Sequence, residues 1–306
     1  MRIVYLGTPD FAVLPLESII KCGKDKVIAV ITNKDKPVGR KQILTPPPVK
    51  ETAEKYGIPV YQYDKIRIEG VNDLKALNPD IMITCAFGQI LSQEILDIPR
   101  LGVINIHGSL LPKYRGASPI QSAILNGEKE SGITIMKTDI GIDTGDILLQ
   151  EKVKIEDSDT ARELFDKLSV LGAKTILNAL DLIRENKINP IKQKEEDATL
   201  SKMIKKESAK IDFYETKEKI VDKIRAYNPW PVAFFTYNGQ TIKVYGAKPD
   251  ERKGQCGEVL VSDKELVIGT ENGSVSLLTV QKAGGNKMNI SDFLRGNKIV
   301  KGEIIK

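Results

Sequence analysis

Histidine is almost missing from this chain: His107 is the only one in 306 residues. Cysteine is nearly as scarce. Cys22, Cys85 and Cys256 are odd in number, far apart and form no Cys-x-x-Cys pair. This excludes a disulfide framework and gives no sign of a zinc site, and all three are expected to be reduced. Long apolar runs are missing too, since none approaches the roughly 18 residues of a membrane span. The opening Met1-Arg2-Ile3-Val4-Tyr5-Leu6-Gly7 reads at once as a strand, with no basic stretch followed by an apolar signal core. The expectation is a cytoplasmic protein that does not engage a membrane. The first turn carries one glycine, Gly7, where a dinucleotide pyrophosphate cradle needs Gly-x-Gly-x-x-Gly. No Gly-x-x-x-x-Gly-Lys-Ser/Thr occurs either, so nucleotide triphosphate hydrolysis is not expected.

With 41% hydrophobic residues, the chain can build two ordinary domains, each with its own core. Residues 3–6 are a continuous apolar run, then Gly7-Thr8-Pro9-Asp10 turns, and residues 11–20 carry helical apolar spacing. This is a β-turn-α opening. The pattern recurs, with strands at 27–32, 59–61, 81–85 and 103–106 and helices at 71–77 and 92–96. Such alternation predicts an α/β fold: a Rossmann-like, doubly wound, mostly parallel sheet whose ligand crevice lies beyond the strands' carboxyl ends.

The lone histidine falls there. Residues 101–106 read as a buried strand, and Asn105 and His107, two apart, share one side of it. An imidazole titrates near neutrality and an amide offers a fixed donor, a pairing suited to moving protons while negative charge develops on oxygen. A buried structural histidine is the other reading. Farther on, residues 119–125 predict a helix, 133–136 a strand, and Gly141 and Gly145 bracket Asp143 in a tight loop. That carboxylate could orient an imidazole and accept a proton, although Asp is also an ordinary turn residue.

Residues 33–50 form a long segment, basic at first and broken by Pro and Gly, with 46–48 expected to be extended and stiff. It reads either as a mobile surface loop or as a basic lid over an anionic substrate. Thr160-Ala161-Arg162-Glu163 is a capping box opening an amphipathic helix toward Asn186. This gives a first domain at 1–188, a charge-mixed linker at 189–206 and a second domain at 207–306. The last begins with a helix ended by Asn228-Pro229-Trp230-Pro231. It continues as short strands with Asn-Gly turns, predicting a small antiparallel β-barrel of the oligonucleotide-binding (OB-like) type, then a turn at 291–295. Residues 202–306 hold 19 Lys and Arg against 13 Asp and Glu, whereas 1–201 hold 27 against 28. The basic excess belongs to the second domain, where it is either a solvated surface or a face for a polyanion such as RNA.

Asn105-x-His107-x-Ser109-Leu110-Leu111-Pro112, followed by Asp143-x-Gly145, resembles the pattern of folate-dependent formyltransferases. The likeness extends to the whole chain. It takes in residues 7–12, Lys36-Pro37-Val38-Gly39-Arg40, residues 45–50 and Ala226-Tyr227-Asn228-Pro229-Trp230-Pro231. These segments point to the branch of the family that acts on methionyl-tRNA, although where that branch often reads Gly-Arg-Gly this chain has Gly39-Arg40-Lys41.

The resemblance implies transfer of a formyl group from 10-formyltetrahydrofolate to the α-amino group of methionine on initiator tRNA, for translation initiation, with no metal and as a monomer. It implies Asn105, His107 and Asp143 as the catalytic set. Ser109, Leu110, Leu111 and Pro112 resemble part of the folate site, with Phe87, Gly88, Gln89, Ile90 and Leu91 beside the pterin. Arg40, Lys41, Lys205 and Lys206 are the expected tRNA contacts.

Overall fold

The computed structural model describes residues 1–39 and 41–305. In chain order these form β1 (Arg2–Gly7), α1 (Val13–Cys22), β2 (Lys26–Thr32), β3 (Lys36–Val38), β4 (Ile43–Thr45), α2 (Pro48–Lys55) and β5 (Val60–Gln62). Next come α3 (Ile66–Glu69), α4 (Val71–Leu77), β6 (Ile81–Cys85), α5 (Gln93–Leu96), β7 (Val103–His107), β8 (Arg115–Gly116), α6 (Pro119–Leu125), β9 (Glu130–Lys137), β10 (Ile147–Lys154) and α7 (Ala161–Arg184). The remainder is β11 (Leu200–Ser201), α8 (Lys217–Ala226), β12 (Phe234–Tyr237), β13 (Gln240–Asp250), β14 (Val259–Ser262), β15 (Leu266–Thr270), β16 (Gly273–Lys282), β17 (Met288–Asn289) and α9 (Ile290–Gly296).

Two compact units emerge, and they are not two consecutive halves of the chain. The first comprises Met1–Gly116, Ser131–Val153 and Phe165–Ser201; the second comprises Ala117–Glu130, Lys154–Leu164 and Lys202–Lys306.

The first unit is built on a seven-stranded sheet ordered β10-β9-β7-β6-β1-β2-β5. From β7 to β5 every pairing is parallel, while β9 runs antiparallel to β7. The mostly parallel Rossmann-like sheet expected from strand–helix alternation is what forms. Strands buried on both faces need uninterrupted apolar runs, and β6 (Ile-Met-Ile-Thr-Cys) is buried at all five positions. Val4, Leu6, Ala29, Ile31 and Met82 pack with Ile66, Leu74 and Ile95 on one side of the sheet. Gly7 ends β1 where its neighbours leave no room for a side chain. A β-carbon there would lie 2.8 Å from that of Ala12 and 3.2 Å from the Cys85 carbonyl.

Within residues 33–50, read as either a mobile surface loop or a basic lid, two short strands form. Lys36–Val38 and Ile43–Thr45 pair as an antiparallel hairpin. Pro47 is extended, with φ −62° and ψ 145°, but Pro48 starts α2. Proline has no amide hydrogen to lose in a first helical turn and its ring already holds a helical φ, so the end of the Pro-Pro-Pro run makes a helix start.

Residues 189–206 also behave differently from a linker. Ile191 exchanges backbone hydrogen bonds with Ile147 at 2.8 and 2.9 Å, Thr199 N donates to Pro112 O at 3.2 Å, and β11 pairs with β8. Up to Ser201 this stretch belongs to the first unit.

The second unit holds an antiparallel sheet ordered β12-β13-β16-β15-β14, with β17 added to β16. It curls around Phe235, Val244, Val259, Leu266, Ile268, Val275 and Leu277, and α8 contributes Ile220 and Ile224 to the same core. Thr216 caps α8 by accepting from Lys219 N at 3.4 Å. The expected turn at 291–295 is α9, which inserts Phe293 into this core, and Ile305 closes it by donating from its backbone to Gly257 O at 2.8 Å.

Candidate active site

β7 sits between β6 and β9, with Thr84 opposite Asn105 on one side and Thr134 opposite His107 on the other. Ile104 and Ile106 are buried on one face of β7, and Asn105 and His107, two apart, share the other.

The Asn105 amide is oriented from behind. Thr84 has one hydroxyl proton, and its shorter bond, 2.9 Å, runs to Asn105 Oδ1. The Nδ2 group therefore points the other way, 3.4 Å from Asp143 Oδ1. That bond is long enough to leave the amide donor available to a better acceptor.

His107 is 6% exposed. Its Nε2 lies 3.0 Å from the Tyr114 carbonyl, and a carbonyl can only accept, so the Nε2 hydrogen is committed there. Nδ1 faces Asp143 Oδ2 at 3.5 Å. With the Nε2 hydrogen committed to Tyr114, Nδ1 is the ring nitrogen left facing the carboxylate.

Asp143 reaches the site by an indirect route. Because β9 runs against β7, the β9–β10 loop leaves the sheet beside the start of β7, where Thr138 N donates to Val103 O at 2.8 Å. It then bends back toward Asn105 and His107. Asp143 adopts φ +54°, left-handed backbone that costs a non-glycine residue about 1–2 kcal/mol unless its surroundings enforce it. The bracketing glycines serve that bend. A β-carbon on Gly141 would lie 2.0 Å from Thr144 Oγ1, and one on Gly145 only 1.8 Å from Lys137 O. Gly116 N completes the carboxylate's environment by donating to Asp143 Oδ2 at 2.8 Å.

Amide, imidazole and carboxylate thus converge; strand spacing had set only Asn105 and His107 on a common side, and Asp143 was implied by the resemblance. The residues behind Asp143 were not predicted. Gln193 Nε2 donates to Asp143 O at 2.8 Å and to Gly145 O at 2.7 Å. Its Oε1 accepts from Arg115 Nε at 3.0 Å. Arg115 is buried and forms a two-pronged pair with Glu195, 2.9 Å on each side. The Glu195 hydrogen bonds raise the Arg115 pKa and the Arg115 bonds lower that of Glu195, so both stay charged. No sequence signal marked Gln193 or Glu195, which lie in the stretch that read as a linker.

The expected folate residues fall into two kinds. Leu110 and Pro112 are half-buried, and Gly88 and Ile90 are exposed, Ile90 to 70%. The others are committed to the frame. Ser109 Oγ donates to Lys113 O at 2.6 Å, and Leu111 packs on Met136 and Ile147. Phe87 and Leu91 are core residues, and Gln89 donates to Asn33 Oδ1 and Tyr63 O at 2.8 and 3.0 Å. Lys41 is exposed in the β3–β4 hairpin, whereas Arg40 lies outside the described residues. Lys205 and Lys206 are exposed in the second unit. Among the described residues no cluster of three or more His, Cys, Asp or Glu is placed to hold a metal ion.

Residues 1–180 match the family described as Formyl transferase, and residues 203–298 the one described as Formyl transferase, C-terminal domain. A methionyl-tRNA formyltransferase of Bacillus subtilis is 44% identical over 309 residues, covering 99% of this chain and 97% of that protein. An N-formyltransferase from Helicobacter canadensis, solved in complex with folinic acid and dTDP-3-aminofucose, superposes with a TM-score of 0.70 at 25% identity, covering 92% of this chain and 98% of its own. A methionyl-tRNA formyltransferase from Clostridium thermocellum superposes with a TM-score of 0.55 at 24% identity, over 81% of this chain and 93% of its own.

Proposed function

The chain belongs to the formyl transferase family, and from that premise we propose how its residues share the work. It transfers the formyl group of 10-formyltetrahydrofolate to the α-amino group of methionine on initiator tRNA, giving N-formylmethionyl-tRNA for translation initiation. The observation that carries the residue assignment is the convergence of Asn105, His107 and Asp143 on one point.

The neutral amine attacks the formyl carbon, and the carbonyl electrons move onto oxygen. Asn105 Nδ2 and a protonated His107 Nδ1 are the donors for that oxyanion, preorganised by Thr84 and by the Tyr114 carbonyl. Collapse breaks the bond to N10 of the folate, which takes the electron pair and a proton, while the amine gives up one. Asp143, or a water it positions, relays that proton.

The folate lies along 87–91 and 109–112. Gly88, Ile90, Leu110 and Pro112 offer surface and backbone to it, while Phe87, Gln89, Leu91, Ser109 and Leu111 shape the two turns from within. In this reading the first unit, which takes in Gln193 and Glu195, holds the chemistry and residues 207–306 bind tRNA. Arg40 and Lys41 serve the acceptor end, and Lys205 and Lys206 contact phosphates. The protein works as a monomer in the cytoplasm, away from membranes.

Formyl transfer from 10-formyltetrahydrofolate to charged initiator tRNA, glycinamide ribonucleotide and an amino sugar nucleotide tests the reading. Product on the tRNA is expected. Product on a small acceptor with none on the tRNA would sink it.

A further inference from the structure

We propose that Gln193 is a positioning residue for Asp143, an inference that rests on Asp143 being the proton relay. One side-chain amide joins three things. Its two N–H groups hold the carbonyl of Asp143, the residue with left-handed backbone, at 2.8 Å and that of Gly145, two residues on, at 2.7 Å. Its oxygen accepts from Arg115 Nε at 3.0 Å, and since a guanidinium only donates, this contact also fixes which way round the amide sits. Arg115 is in turn buried and gripped by Glu195 through two 2.9 Å bonds.

The position of Arg115 in the chain gives this bridge its meaning. Tyr114, just before it, supplies the carbonyl that accepts from His107 Nε2, and Gly116, just after it, supplies the N–H that donates to Asp143 Oδ2. Residues 114–116 therefore set the imidazole and one carboxylate oxygen. Gln193 ties that segment to the backbone on which the carboxylate rides. Without the tie, the Asp143 loop keeps its fold through Asp139, whose Oδ1 accepts from Gly141 N and Thr144 Oγ1 at 3.1 and 2.7 Å. It loses its register against His107. Glutamine suits the place because it offers two coplanar donors and one acceptor. Glutamate at this position would turn acceptors on two carbonyls.

The test uses the full-length protein with Gln193→Met, which keeps length and volume but removes the donors, and Gln193→Glu. Both are compared with Asp143→Asn and with the doubly substituted Gln193→Met, Asp143→Asn chain. The expected result is kcat lowered about 10–100-fold in both Gln193 variants, because displacements near 1 Å at a reacting group cost rates of that order. KM for tRNA and for the folate should stay within about threefold, as expected for losing an interaction made in the transition state. In the Asp143→Asn background the added effect of Gln193→Met should vanish, because there is no carboxylate left to position. Full and undiminished additivity, or a fall in thermal midpoint with kcat unchanged, would overturn the proposal. If Asp143→Asn itself keeps wild-type kcat, the reading of Asp143 fails, and this inference with it. If Asp143→Asn is inactive while Gln193→Met and Gln193→Glu are not impaired, only this inference fails.

Discussion

At the scale of single residues, the site depends on groups whose freedom has been removed before substrate arrives. Asn105 is the clearest case. Its amide cannot rotate without giving up the Thr84 hydroxyl, so its donor stays turned toward Asp143, where we propose the oxyanion forms. Asn105→Ala should lower kcat by about 10²–10³, the range for losing one oxyanion donor. Its affinity for tRNA, followed by nitrocellulose filter binding, should change little; a matching loss of tRNA affinity would mean that Asn105 holds the acceptor instead. The pairing of Asn105 with His107 was legible in the sequence because a strand's period of two is strict. Gln193 was not, because its partners lie 48 to 78 residues away and glutamine has no local signature. Its significance comes only from what the fold brings beside it.

Among the elements, the β9–β10 connection carries the most constraint. Gly145 has no room for a side chain, since a β-carbon would overlap the Lys137 carbonyl. Gly145→Ala should therefore destabilise the protein by roughly 1–3 kcal/mol, the usual cost of overpacking. A drop in the urea midpoint at constant slope would show it, and an unchanged midpoint would mean that the loop is more pliant than this contact implies. The apolar runs of the parallel strands announced themselves, as did the amphipathic spacing of α7. The β3–β4 hairpin and the start of α2 did not, since Pro-rich and basic composition says polar and stiff without saying which turn closes. The 189–206 stretch misled for a related reason. Its mixed charge reads as solvated, yet Arg115, a buried residue far away in the chain, uses Glu195 from it.

For the whole molecule, the charge asymmetry is the feature most open to measurement. The basic excess lies in residues 202–306, the part that provides the second unit's antiparallel sheet. If phosphates are held there, the logarithm of tRNA affinity should fall linearly with the logarithm of salt, with a slope of roughly −0.7 to −0.9 for each phosphate neutralised. A flat response would remove the basic surface from the recognition problem. The two-unit division was half legible. Composition separated an α/β part from a β-rich part, but could not reveal that residues 117–130 and 154–164 join the second unit, because that depends on packing such as α6 against α8.

His107 is the only imidazole in the chain, and one of its nitrogens is held by the Tyr114 carbonyl. In an untagged protein labelled with ¹⁵N at histidine, every ring resonance belongs to His107. The protonation of Nδ1 can then be followed directly, with folate alone, with tRNA alone and with both, on the nitrogen proposed to donate to the oxyanion.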